Sequence, residues 1–155
     1  DVITFLKEVQ PHREMLWTPN HSEAGVLAEL KIKSEAEFLE AAKIINRNNI
    51  NVFLKGGDFK SESSKDLLYI NESEKFWFEK KQILSTNTHG SGCSLASALA
   101  VFLSRGLSLV EACELAKDYI HGAITSAKEE KLSEGENGPL YHQYHFSQLD
   151  HPYFK

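Results

Sequence analysis

Residues Ser85 to Ser94 read STNTHGSGCS: two glycines bracket a serine, and a cysteine follows at once. The run after it, LASALAVFLSRGLSL, has helical character, so Cys93 falls where a glycine-rich loop enters a helix. Glycines let a backbone turn tightly and approach a ligand closely. The first N–H groups of a helix lack partners within it, and the helix dipole adds partial positive charge there. Such a loop suits a phosphate, or charge developing on one. A cysteine at a helix N-terminus is in the setting that favours thiolate, which can serve as a base or a nucleophile. The same ten residues also fit an ordinary tight turn with a small apolar cysteine, and the local pattern leaves both readings open. The stretch lacks the lysine of a P-loop and the full spacing of a dinucleotide fingerprint. Cys113 is different: it shares the apolar side of a helical pattern with Leu109 and Ala116, and reads as core.

These residues need elements to hold them. MLWT (15–18) is a short apolar run closed by Pro19-Asn20, a buried strand and a turn. Ser22 precedes Glu23, Ala24, Val26, Leu27 and Leu30, an amphipathic helix. Ser34 with Glu37 forms a capping-box pattern, and Phe38, Leu39, Ala42, Ile44 and Ile45 give a second helix its apolar face, ended by Asn48-Asn49. INVFLK (50–55) is β-branched and aromatic and stops at Gly56-Gly57. Strand, helix and strand in succession predict a parallel α/β sheet. DLLYI and KFWFEKKQI around NESE predict a hairpin. A helix from about Gly92 to Ser104 stops at Arg105-Gly106. Ser108, with Glu111, caps another helix, with period through Leu109, Ala112, Leu115, Ala116, Tyr119, Ile120, Ala123 and Ile124. EKLSEGENG reads as a solvated loop and PLYHQYHF as a last edge strand starting at Pro139. His142 and His145 alternate there with Tyr141 and Tyr144, but no Cys or acidic partner supports a metal.

Bulk composition narrows the function classes. The 155 residues fit one domain, with 41% apolar and 25% charged residues, enough for a real core. A net charge of −5, from 17 basic and 22 acidic residues, argues against nucleic acid or an anionic membrane as main partner. No apolar run approaches the roughly 18 residues of a membrane span, and no secretory pattern opens the chain. Two cysteines make no disulfide framework, so a cytoplasmic setting is expected. The chain starts at Asp1, inside a helical pattern (DVITFLKEV), as a fragment or processed chain would.

NTHGSGCSLASALAVFLSRGLSLVEACELAKDYIHGAI closely resembles the signature of the hydroxymethylpyrimidine and phosphomethylpyrimidine kinases of thiamine biosynthesis, within the ribokinase-like superfamily. TPNHSEAGVL, VFLKGG and GPLYHQYHF resemble further segments of that family in the same order, so the likeness covers nearly the whole chain. The Thr-His-Gly-x-Gly-Cys block is the specific part. The resemblance implies a three-layer αβα sandwich with a mainly parallel sheet, and transfer of the ATP γ-phosphoryl to a hydroxymethyl group of 4-amino-5-hydroxymethyl-2-methylpyrimidine or its monophosphate. It implies that Cys93 is the base toward the alcohol, with the N–H groups of Gly90, Ser91, Gly92 and Cys93 as the anion hole. Ser91 and Ser94 stand where the family commonly has threonine, and both keep a hydroxyl. Asn20 and Glu23 match an Asn-x-x-Glu motif that would organise hydrated Mg²⁺ on ATP phosphates, although both also suit a turn and a first helical turn. Lys55 is implied in contact with ATP phosphates, although it also suits an exposed strand end; Thr88 is implied in nucleotide binding and His121 near the nucleotide. Asp58 departs from the His common at its position.

The family's longer N-terminal portion, which supplies early strands and most acceptor-pocket residues, has no counterpart here. Residues 1–155 are therefore expected to form the C-terminal nucleotide and phosphoryl-transfer portion of one domain. A homodimer is common among look-alikes. A pyridoxal kinase of similar make and an inactive nucleotide-binding fragment are the competing readings.

Overall fold

A computed structural model describes residues 15–47, 50–57, 62–128 and 137–144. The expected helix in DVITFLKEV, the Asn48-Asn49 stop, Asp58, His145 and most of EKLSEGENG lie outside the described residues. The chain divides into two compact units, Asp1–Gln82 and Ile83–Lys155.

The first unit contains β1 (Met15–Trp17), α1 (His21–Ala28), α2 (Glu35–Asn46), β2 (Ile50–Leu54), β3 (Ser63–Tyr69) and β4 (Lys75–Lys81). The strands form one sheet in the order β1-β2-β3-β4. β1 and β2 pair in parallel, with Trp17 opposite Val52, as expected for strands joined through helices. β3 and β4 form the expected hairpin, with Asn71 accepting from the N–H groups of Ser73 and Glu74 at the turn. β2 and β3 also pair antiparallel, with Phe53 opposite Leu68, so the described sheet is mixed. The physical reason is the short link between them: residues 55–62 are too few for the helix that a parallel crossover needs.

Alternation then sorts the faces. Val52, Leu54, Leu67 and Tyr69 join Phe38, Ala41, Ala42 and Ile45 of α2 in one core. Phe38 stacks on Trp77 at 5.9 Å between ring centroids. On the other face Phe53 meets Phe78 edge-on at 5.7 Å. Full burial of a side chain such as Phe38 stabilises by about 1.5–3 kcal/mol.

α1 is shorter than its apolar pattern. Asn20 is its cap, and the helix ends at Ala28 because Glu29 turns left-handed (φ 54°). The Leu30 N–H then bonds the Gly25 carbonyl at 2.9 Å, which leaves Leu30 outside the helix.

The second unit contains α3 (Ser91–Ser104) and α4 (Leu109–Ala127). α3 ends as expected at Arg105-Gly106: Gly106 adopts φ 84° and its N–H reaches Leu103, while Leu107 reaches Phe102. Ser108 and Glu111 make the expected capping box on α4. Small residues line its buried side, Ala112, Cys113, Ala116, Ala123 and Ala127, and Cys113 is fully buried as core. Leu115 is exposed, contrary to its place in the apolar pattern, because it lies off that small-residue stripe. PLYHQYHF does not continue as an edge strand over its described part. Only Pro139 bridges, to His89; Tyr141 then donates to the Ala123 carbonyl of α4 at 3.3 Å, and residues 142–144 turn.

Candidate active site

The first unit gathers Asn20, Glu23 and Lys55 at the carboxyl ends of its parallel pair, where open α/β sheets bind ligands. Asn20 bridges Lys55 in parallel, just beyond β1 and β2, and the Lys55 N–H donates to the Pro19 carbonyl at 3.0 Å. Asn20 and Glu23 are bound to each other in a capping box. The Glu23 N–H donates to Asn20 Oδ1 at 2.8 Å, and the Asn20 N–H donates to Glu23 Oε2 at 2.7 Å. The two residues thus fulfil the structural role that their positions allowed. Glu23 is exposed, and its Oε1 accepts no hydrogen bond among the described residues. The half-buried Lys55 likewise has no side-chain partner among the described residues.

Behind Lys55 the turn is held tightly. The Gly56 N–H donates to the buried Asp66 carboxylate at 2.9 Å. Asp66 escaped the sequence reading because it sat inside an apolar hairpin strand; a charge in such a run was the available signal.

The second unit builds the Gly90–Cys93 turn. Gly90 is the N-cap of α3 with φ 85°, a left-handed conformation that suits glycine. α1, α2 and α4 each begin under a side-chain cap, from Asn20, Ser34 and Ser108, whereas α3 has none and no acidic residue in its first turn. The Ser91 N–H is directed to the Thr88 carbonyl at 3.2 Å, and the Gly90 carbonyl accepts from both the N–H and the hydroxyl of Ser94. The N–H groups of Gly92 and Cys93 have no acceptor among the described residues. Cys93 itself is exposed, in the first turn of α3.

Upstream, Asn87 is buried and its side-chain amide donates to the Ala127 carbonyl. Sequence reasoning passed over Asn87 although it stands inside the quoted motif. His121 lies midway along α4, half-buried, and its carbonyl accepts from the Thr125 hydroxyl. Next to it, Tyr119 stacks with His142 and bonds it at 3.0 Å, so His142 is a partner of Tyr119.

A sequence model of the family described as phosphomethylpyrimidine kinase matches residues 1–140. A hydroxymethylpyrimidine/phosphomethylpyrimidine kinase of Rhizobium meliloti is 33% identical over 91% of this chain and 53% of its own length. The thiamine biosynthesis bifunctional protein ThiED of Geobacter sulfurreducens is 40% identical over 90% of this chain and 28% of its own. Among solved structures, the pyridoxal kinase from Staphylococcus aureus in complex with AMP-PCP and pyridoxal superposes with a TM-score of 0.79 at 29% identity. That match covers 91% of this chain and 52% of the other. The chain spans about half the length of the Rhizobium meliloti and Escherichia coli kinases it matches.

Proposed function

The chain belongs to the phosphomethylpyrimidine kinase family, and from that premise we propose that it carries the nucleotide and phosphoryl-transfer portion of an enzyme that phosphorylates the hydroxymethyl group of a thiamine-precursor pyrimidine with ATP. Its fold is the ribokinase-like α/β fold of the solved kinases that it matches. The observation that carries the proposal is the start of α3. An uncapped, acid-free helix N-terminus presents the Gly92 and Cys93 N–H groups beside an exposed thiol.

In this reading the Cys93 thiolate takes the proton of the substrate alcohol as its oxygen attacks the γ-phosphorus. The bond from that phosphorus to the β–γ bridging oxygen breaks, ADP leaves, and no phospho-cysteine forms. The Gly92 and Cys93 N–H groups, at the head of the α3 dipole, stabilise charge on the transferring phosphoryl. The Ser91 N–H contributes less, because Thr88 already accepts it. Lys55 of the first unit has an ammonium to offer ATP phosphates; in the second unit Thr88 and His121 are the proposed nucleotide contacts.

Mg²⁺ fits the first unit in its usual manner, through a carboxylate and water rather than a protein cage. Glu23 keeps Oε1 for such a contact while Oε2 holds the helix cap. No group of three His, Cys, Asp or Glu side chains forms a metal cluster among the described residues. When bound, the ion would neutralise phosphate charge.

A second reading takes pyridoxal as acceptor, favoured by the likeness to the Staphylococcus aureus pyridoxal kinase. The full-length protein with Mg-ATP, assayed against the pyrimidine alcohol, its monophosphate and pyridoxal, separates the two. Preference for pyridoxal would replace the pyrimidine reading. Cys93→Ala should lower kcat about 100-fold or more while leaving ATP affinity near normal; undiminished turnover would remove Cys93 as base.

A further inference from the structure

We propose that Asn87 is a positioning residue for phosphoryl transfer: it fixes residues 86–89 to the end of α4 and so sets where the Gly90–Cys93 turn begins. The proposal rests on the kinase reading above and adds to it a residue outside the reacting groups.

Asn87 is only 4% exposed, an unusual place for an amide unless its hydrogen bonds are built in. Its Nδ2 donates to the Ala127 carbonyl at 2.5 Å. Ala127 closes α4 and is itself fully buried. Carbonyls in a last helical turn have no partner further along the helix, so this bond satisfies a group that burial would otherwise leave orphaned. The backbone around Asn87 is tied on both sides to one other residue. The Gly138 N–H donates to the Thr86 carbonyl at 3.0 Å, and the His89 N–H donates to the Gly138 carbonyl at 3.0 Å. The Asn87 N–H is turned inward to the Ser85 hydroxyl at 3.0 Å.

Residues 86–89 are thus clamped between the end of α4 and the Asn137–Leu140 segment, where the matching Gly-Pro sequence lies. Beyond His89 that anchoring ends. Gly90 has no side chain, and a Cβ built on it would meet nothing within 4 Å. Packing along α4 holds the body of α3, and the clamp sets where its first turn, with Cys93, starts. Asn87 supplies the side-chain bond of that clamp to the end of α4. A catalytic group displaced by about 1 Å can lose about 100-fold in rate, so an anchor at this point acts on kcat before it acts on ground-state binding.

The test compares full-length wild type, Asn87→Asp, Asn87→Ala and Leu99→Ala. Asp is nearly isosteric but has an acceptor where Nδ2 donates. Leu99, buried in α3, serves as a comparator for general destabilisation. Both Asn87 variants should lose about 30–100-fold in kcat with KM for ATP changed less than about 3-fold. Leu99→Ala, at an equal or larger drop in Tm, should keep kcat within about 3-fold of wild type. The rate of Cys93 alkylation, which needs no turnover, should also change in the Asn87 variants and not in Leu99→Ala. Folded Asn87 variants with wild-type kcat and alkylation rate would overturn the proposal and leave the kinase reading intact. An Asn87 effect no greater than that of Leu99→Ala at matched Tm would do the same. A wild type that phosphorylates none of the three alcohols would overturn the kinase reading, and the proposal with it.

Discussion

Gly56 lies so close to β3 that a Cβ built on it would stand 2.0 Å from the Lys65 carbonyl oxygen. No side chain can be accommodated without moving backbone, because the obstructing atom is itself main chain. The same residue donates its N–H to Asp66, so the turn after Lys55 is held from two sides. Gly56→Ala should destabilise the protein by about 3 kcal/mol, the upper end for overpacking. Gly57→Ala, whose Cβ would meet only the Ser64 hydroxyl at 3.7 Å, should cost far less. Denaturant midpoints of the two variants check this, and equal midpoints would refute the close approach.

The Asn20–Glu23 pair separates a structural role from a metal role. Glu23→Gln keeps a side-chain oxygen for the Asn20 N–H and so should change stability by less than about 0.5 kcal/mol. Asn20→Ala removes the cap and should cost about 1 kcal/mol. If the other Glu23 oxygen serves Mg²⁺ through water, Glu23→Gln should raise the Mg²⁺ concentration for half-maximal activity by about 10-fold. An unchanged Mg²⁺ requirement at unchanged stability would leave Glu23 a capping residue alone.

Local signals in the sequence were strongest where one short-range force decides the structure. Ser34, Ser108 and Glu111 were readable as caps because a hydroxyl and a carboxylate three residues apart satisfy free N–H groups wherever they occur. The Gly90 turn and the start of α3 were readable for a similar reason, since few residues tolerate a φ of 85°. What escaped was set by distant partners. Nothing near Asp66 in sequence announces the Gly56 N–H, and nothing near Asn87 announces Ala127, forty residues on. The β2–β3 direction was likewise fixed by chain length between strands rather than by either strand's pattern. The Leu30 misreading arose because Glu29 enters the left-handed region, which a glutamate does not advertise.

Glu111 ties stability to acid pH. The Ser108 hydroxyl donates to its carboxylate at 2.6 Å and the Ser108 N–H at 2.9 Å, and these bonds hold it below its ordinary 4.5. A carboxyl lowered on folding contributes stability that is fully present above its unfolded value and lost as pH falls through the folded one. The Tm penalty of Ser108→Ala should therefore be largest near neutral pH and shrink below 4.5. An NMR titration should show the Glu111 carboxyl rising toward its ordinary range in that variant. A penalty independent of pH would mean that the cap works without the carboxylate.

At the alkaline end a sensitive group is Tyr144, whose ring lies over Gly122, within 2.5 Å of where a Cβ would stand. Burial pushes its phenol up from 10.0 to about 12, with smaller contributions from Tyr119 and Asp118. An acid raised on folding disfavours its charged form in the native state. Its stabilising contribution is complete below the unfolded value of 10.0 and is lost as pH climbs toward about 12. Burial also raises the phenols of Tyr69 and Tyr119, so phenolate absorbance should show one fewer late-titrating tyrosine in Tyr144→Phe than in the native protein. The fall in Tm above about pH 10 should be shallower in that variant, because phenylalanine keeps the ring on Gly122 and has no proton to lose. If both proteins lose Tm in parallel above that pH, the alkaline limit lies in another group, and the packing of Tyr144 on α4 carries no pH dependence.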